Sequence, residues 1–154
     1  MRTKLLIVVG VISGLAFGAD FDLLIRNARI VDGAGNPWFL ADVGIRNGEI
    51  AGIGRLAGKT AEKIIEAKQR VVTPGFIDVH VHADYFPERR LTRNPDADAF
   101  LFDGVTTIVT GNCGWSEIDL ADFFSSVEQA RPAVNMASMI GHGAIRRRVM
   151  GDAN

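Results

Sequence analysis

A strand that is apolar on both faces must be covered by two layers, and residues 75–81 form such a run from Gly75 through Phe76, Ile77 and Val79 to Val81. Only Asp78 and His80 interrupt it, and His82 follows directly. The segments after it repeat the requirement. Leu91 to Phe102 is a helix candidate, and Val105 to Thr110 is a second strand. Asp119 is placed to cap a helix from Leu120 to Ala130, with Asp122 in the first turn facing the positive end of the helix dipole. Pro132 closes that helix, and Ala133 to Ile140 is a third apolar strand. Strands alternating with helices predict a parallel sheet of α/β class.

Before Pro74 the period is different. Phe21 to Ile25 and Ala28 to Val31 read as short strands, followed by the breaker cluster Asp32-Gly33-Ala34-Gly35-Asn36-Pro37. Val43 to Arg46 and Glu49 to Ile53 flank Asn47-Gly48, a dipeptide that accepts positive φ at both turn positions and predicts a type I′ hairpin. Lys63 to Ala67 and Arg70 to Val72 suggest a further pair. These strands would make only a small open sheet, which needs more strands or a neighbouring surface to bury its apolar side. The expected organisation is therefore residues 1–18, 19–73 and 74–154, the chain being the front end of something larger.

Residues 1–18 have the layout of a secretory signal peptide. Arg2 and Lys4 form a basic head, Leu5 to Phe17 an uncharged apolar run, and Ala16 and Gly18 a small-residue cleavage signal before Ala19-Asp20. The alternative is an uncleaved anchor, although the run falls short of the roughly 20 residues a bilayer-spanning helix needs. The expected destination is the periplasm or the cell exterior. A formal net charge of -1, from 17 basic against 18 acidic residues, leaves no electrostatic footprint for nucleic acid or an anionic membrane. A single cysteine excludes an internal disulfide framework.

The chemistry concentrates around Asp78-Val79-His80-Val81-His82. Strand alternation sends Asp78, His80 and His82 to one face, so two imidazoles can approach one metal ion of the kind imidazole suits, zinc and its neighbours. Buried on an apolar strand without such a partner, their ring nitrogens would be unsatisfied. Asp78 is placed to orient a ligand from behind. Cys113, in the loop Thr110-Gly111-Asn112-Cys113-Gly114, leaves two readings open. It is either a small packed hydrophobe or a thiolate ligand, because it follows a strand at the end where parallel barrels keep their active sites.

The residues Val72 to His82 resemble the opening of the amidohydrolase superfamily. Gly104-Val105-Thr106-Thr107 and the Gly111-Asn112-Cys113-Gly114 loop are similar to one branch of it, the D-aminoacylases (N-acyl-D-amino-acid deacylases). Phe21 to Val31 and Gly141 to Arg146 resemble other parts of that branch. The resemblance implies the start of a (β/α)8 TIM-type barrel, preceded by the N-terminal strands of a small composite β-sandwich domain. It implies one or two zinc ions, with His80, His82 and Cys113 as ligands, and hydrolysis of the amide of a small-molecule N-acyl-D-amino acid. Further ligands and a general-base aspartate are implied beyond Asn154, so these residues alone would be inactive. His142 is either a strand-end histidine bonded to backbone or a substrate contact. Arg146 is either part of the solvated Arg146-Arg147-Arg148 face or a fork for a substrate carboxylate. Asp84 is equally open between structural and substrate-adjacent roles. The alternatives to the deacylase reading are a dihydroorotase-like or hydantoinase-like cyclic amidase, and a non-catalytic truncated fragment.

The N-terminal reading has a direct test. Replacing Val8 and Val9 with charged residues breaks the apolar run and should stop export. Cell fractionation that finds the altered protein still exported, or a mature protein beginning at Met1, would remove the signal peptide from the account.

Overall fold

The structure is a computed structural model describing residues 18–83, 91 and 93–151. The signal-peptide segment, apart from Gly18, and Asp84 lie outside the described residues. The chain divides into two compact units, Met1–Thr73 and Pro74–Asn154.

The first unit is one sheet. Strands β1 (Phe21–Ile30), β2 (Phe39–Arg46), β3 (Glu49–Gly54) and β4 (Ala61–Glu66) lie in the order β3-β2-β1-β4, and β5 (Val71–Val72) also pairs with β1. The β2–β3 turn is the one Asn47-Gly48 predicts, with φ of 54° and 78°. Two expectations are corrected. The two short strands predicted between Phe21 and Val31 are a single strand with a register shift between Ile25 and Ala28. The interruption is a bulge centred on Asn27 (φ 54°), whose backbone N–H donates to Asp42 Oδ1 at 2.9 Å. The predicted pairing of Lys63–Ala67 with Arg70–Val72 is also absent. Both segments run parallel to β1, one after the other, β4 beside Phe21–Arg26 and β5 beside Arg29–Ile30. Lys68 and Gln69, both at positive φ, make the jog between them, and Gln69 N–H donates to the bulged Asn27 carbonyl at 2.7 Å. An irregularity in one strand is thus matched by one in its neighbour. Ala28, Ile30, Ala41, Val43 and Ala67 form the apolar core of this unit. At its start, Asp20 accepts hydrogen bonds from Lys59 Nζ and from the Thr60 backbone and hydroxyl, which hold its carboxyl at about 2.

The second unit carries the strand–helix rhythm. Strands β6 (Phe76–Asp78), β7 (Val105–Thr110) and β8 (Asn135–Ser138) are parallel and ordered β6-β7-β8, with α1 (Asp98–Leu101), α2 (Leu120–Ala130) and α3 (His142–Met150) following them in turn. Ile108 of β7 shares one apolar core with Val81, Ala83, Leu91, Ala97 and Val134 from the connecting stretches.

Helix α2 has its predicted bounds and cap. Asp119 Oδ1 accepts from the Ala121 and Asp122 backbone N–H groups at 3.1 Å each, and Arg131 ends the helix in the left-handed region. Other predicted elements shrink. The helix expected over Leu91–Phe102 is one turn, because Pro95 forces Asn94 away from helical angles and Ala97 offers no side-chain cap. The third strand is confined to Asn135–Ser138 within the predicted Ala133–Ile140. The first strand ends at Asp78 rather than Val81, because the Asp78 carboxylate accepts from the His80 backbone N–H at 3.0 Å and turns the chain out of the ladder. Burial on both faces holds at Ile108, which is fully buried, and fails at Phe76 and Ile77, 58% and 63% exposed on the outermost strand. No helix among the described residues is long and apolar enough to cross a membrane.

The cap gives a stability test. Asp119→Ala leaves two N–H groups of α2 without their acceptor and should cost roughly 1 kcal/mol, measured as a lowered midpoint in urea unfolding. An unchanged midpoint would mean that the cap adds nothing to α2.

Candidate metal centre

The site is built where β6 and β7 end. His80 and His82 stand on the stretch after β6, and Cys113 on the loop after β7. The His80 Nε2 and Cys113 Sγ atoms are 3.2 Å apart. The two imidazole rings meet edge to face, with centroids 5.5 Å apart. One ligand atom from each of the three residues lies within 4.8 Å of the other two, a set that can hold a metal ion. His80 and Cys113 are exposed, and His82 is half-buried. Two imidazoles and a thiol are donors of the type zinc takes, so the residues present fit that ion.

The loop bearing Cys113 is shaped by glycines and close backbone approach. Cys113 itself is left-handed, with φ 56°, between Gly111 and Gly114. A side chain at Gly111 would place its Cβ 2.0 Å from the Met139 carbonyl oxygen, so this strand end meets the end of β8 in a way only glycine allows. The start of α3 closes on the loop from the other side. Ala144 N–H donates to the Gly114 carbonyl at 2.9 Å, and Gly141 N–H donates to Ser116 Oγ at 2.8 Å. The Arg147 guanidinium lies 3.9 Å from the centroid of the Trp115 ring.

Inside this frame sits Asn112, 8% exposed, whose Nδ2 donates to the Val109 carbonyl at 2.9 Å and the Val81 carbonyl at 3.3 Å. A cleft of about 750 Å³ opens beside the histidines, with Asp78, Arg93, Asn94 and Phe100 on its walls.

Of the residues singled out from sequence, His80, His82 and Cys113 come together, though not by strand alternation, since both histidines lie past the end of β6. Asp78 engages the His80 backbone through its carboxylate. His142 is not a strand-end residue. It opens α3, because Gly141 takes the extended cap conformation that lets a helix begin there, and it is exposed and outside the donor cluster. Arg146 lies on α3 and is exposed. Asn112 and Ser116 also shape the site, and their roles depend on contacts made only in the folded chain. Nothing local in the sequence marks Asn112, because its bond to Val81 spans 31 positions.

Residues 63–154 match the amidohydrolase family, and the chain belongs to that family. Among its relatives, D-aminoacylase of Alcaligenes xylosoxydans xylosoxydans is 36% identical over 86% of this chain. N-acyl-D-glutamate deacylase of the same organism is 34% identical over 85% of it. Among solved structures, N-acyl-D-glutamate deacylase from Bordetella bronchiseptica, complexed with zinc and a phosphonate inhibitor, superposes with a TM-score of 0.76 at 32% identity over 86% of this chain. The chain spans about a third of the length of these relatives, 31%, 30% and 32% respectively.

Proposed function

We propose that this chain supplies part of the metal centre of a zinc-dependent hydrolase that cleaves the amide of N-acyl-D-amino acids. The observation that carries the reading is the convergence of His80, His82 and Cys113 from two chain segments on a volume one ion would fill. The likeness to D-aminoacylase and N-acyl-D-glutamate deacylase supports the substrate class. In this reading β6, β7 and β8 open a (β/α)8 barrel, and the first unit belongs to a composite β domain. Residues 1–18 direct the protein out of the cytoplasm.

His80 and His82 would bind as neutral imidazoles, each offering one ring nitrogen, and Cys113 as a thiolate that adds one negative charge to the site. Asp78 fixes the His80 backbone through its 3.0 Å bond and so limits where that ring can go. Zinc held there supplies Lewis acidity, making water nucleophilic near neutral pH and polarising an amide carbonyl. Among the described residues no carboxylate joins the cluster, so these three side chains are assigned to holding the ion and not to moving protons. His142 and Arg146, on the helix that packs against the Cys113 loop, remain candidates for contacting substrate, Arg146 through a carboxylate.

In the full-length protein, His80→Ala and His82→Ala should each lower zinc content and, with it, zinc-dependent release of D-methionine from its N-acetyl form. Normal metal stoichiometry in both variants, read by elemental analysis, would sink the site. Cys113→Ser exchanges a soft, charged donor for a hard, neutral one of nearly the same size. It should weaken zinc binding by about tenfold or more while the far-ultraviolet circular dichroism stays unchanged. Full metal affinity and full deacylase activity in that variant would return Cys113 to a packing role. Preferential turnover of a hydantoin or another cyclic amide would replace the substrate class while leaving the centre in place.

A further inference from the structure

We infer that Asn112 is the positioning residue of this centre, its side-chain amide setting the separation between the histidine-bearing segment and Cys113. The inference rests on the metal-centre reading above, and its test is chosen to fail separately from it.

The argument begins with what regular pairing leaves undone. The donors stand on stretches that have left the ladder, since β6 ends at Asp78 and β7 at Thr110. The histidine-bearing segment is tied to β7 by the Val81 N–H to Val109 carbonyl bond, 3.2 Å, and to the loop after β7 by the Asn112 amide. A carboxamide NH2 carries two hydrogens, and here each is directed to a different segment. One goes to Val109, three residues before Asn112 and within β7. The other goes to Val81, the residue between His80 and His82. Asn112 is itself the covalent neighbour of Cys113. The amide therefore bridges points adjacent to all three donor side chains without touching any of them in these bonds.

Its surroundings make the bridge stiff. Asn112 is buried, and its bond to the Val81 carbonyl is shielded from competing water. Left-handed angles at Gly111 and Cys113, on either side of it, turn the backbone so that the amide reaches back beneath the loop while Sγ stands beside the His80 ring. The Val81 side chain is anchored in the core with Ile108 and Val134, which makes its carbonyl a fixed point. A side chain that only filled space here would have no need of two donors.

The test uses two variants of the full-length protein. Asn112→Asp keeps the shape but presents acceptor oxygens to two carbonyls, and Asn112→Ala removes the bridge. Crystal structures of the metal-free variants should show the His80 Nε2 to Cys113 Sγ separation opened well beyond the 3.2 Å seen here, with Ile108 and Val134 still in contact. Titration with cobalt(II) should show binding weakened by about 10- to 100-fold, the range typical when a group behind a metal ligand is lost. The near-ultraviolet band that marks thiolate-to-cobalt charge transfer should fall relative to the visible bands. Retention of both the spacing and that band in the two variants would overturn the inference. Loss of the band together with the Ile108–Val134 packing and the far-ultraviolet circular dichroism would also overturn it, making Asn112 a residue of the fold. If the unsubstituted protein binds no cobalt while the spacing still opens in Asn112→Asp, the positioning assignment stands and the metal reading falls.

Discussion

The 3.2 Å separation of His80 Nε2 and Cys113 Sγ is the constraint around which the second unit is arranged. These atoms belong to residues 33 positions apart, on stretches that no longer share a ladder. Side chains that far apart in sequence stay adjacent only when the backbone beneath each is held from several sides. The Asp78 carboxylate takes the His80 N–H, the Val81 N–H reaches Val109, and the Asn112 amide spans both segments. On the far side, the α3 start binds the Gly114 carbonyl and Ser116. Parallel strands bring the two ends level, and hydrogen bonds outside the strands then set the distance.

The three side chains of the candidate cluster, His80, His82 and Cys113, stand out in the sequence for reasons of differing strength. Two histidines two residues apart, following an apolar run, are a local signal that survives errors in the structural reading. Alternation along a strand predicted their adjacency, yet they lie past the strand's end. They meet regardless, because the chain after Asp78 is held to β7 at Val81 and the two rings come edge to face. Cys113 was a weaker inference from position in a loop, since nothing in a single sequence says where a loop's apex will fold. Asn112 was not legible at all. An asparagine in a glycine-rich loop is ordinarily a turn residue that bonds its own backbone. Its bond to Val81 depends on a residue 31 positions away, which only the folded chain brings near.

The fold was legible where a residue type acts through its own backbone. Asn47-Gly48 makes its turn and Asp119 its cap because those preferences are settled within four residues. It was misread where a neighbouring strand decided the outcome. Arg26-Asn27 looks like a break between two strands, and in isolation it would be one. With Asp42 and Glu66 beside it, Asn27 becomes a bulge in a continuous strand, its backbone and side chain each bonded to a carboxylate. The pairing of residues 63–67 with 70–72 failed for the same reason, since β1 offers each of them a better partner than they offer one another. The turn at Lys68-Gln69 then follows the bulge it faces.

Cys113 shows how local cost and site geometry are connected. A non-glycine residue in the left-handed region costs about 1 kcal/mol or more, and β-carbon crowding is the cause. Glycine would relieve that cost and would remove the sulfur. The loop accommodates the cost by placing glycines where backbone meets backbone, at Gly111 against Met139 and at Gly141 and Gly143 against Gly114. Those contacts let β8 and α3 press close enough to fix the loop from outside while Asn112 fixes it from within. In the metal-centre reading proposed above, a thiol constrained on both sides would have little conformational freedom left to lose on binding an ion, so more of the interaction energy would be retained as affinity. The strained angle, the glycines and the buried amide are therefore parts of one arrangement, and relaxing any of them would let the sulfur move away from the imidazoles.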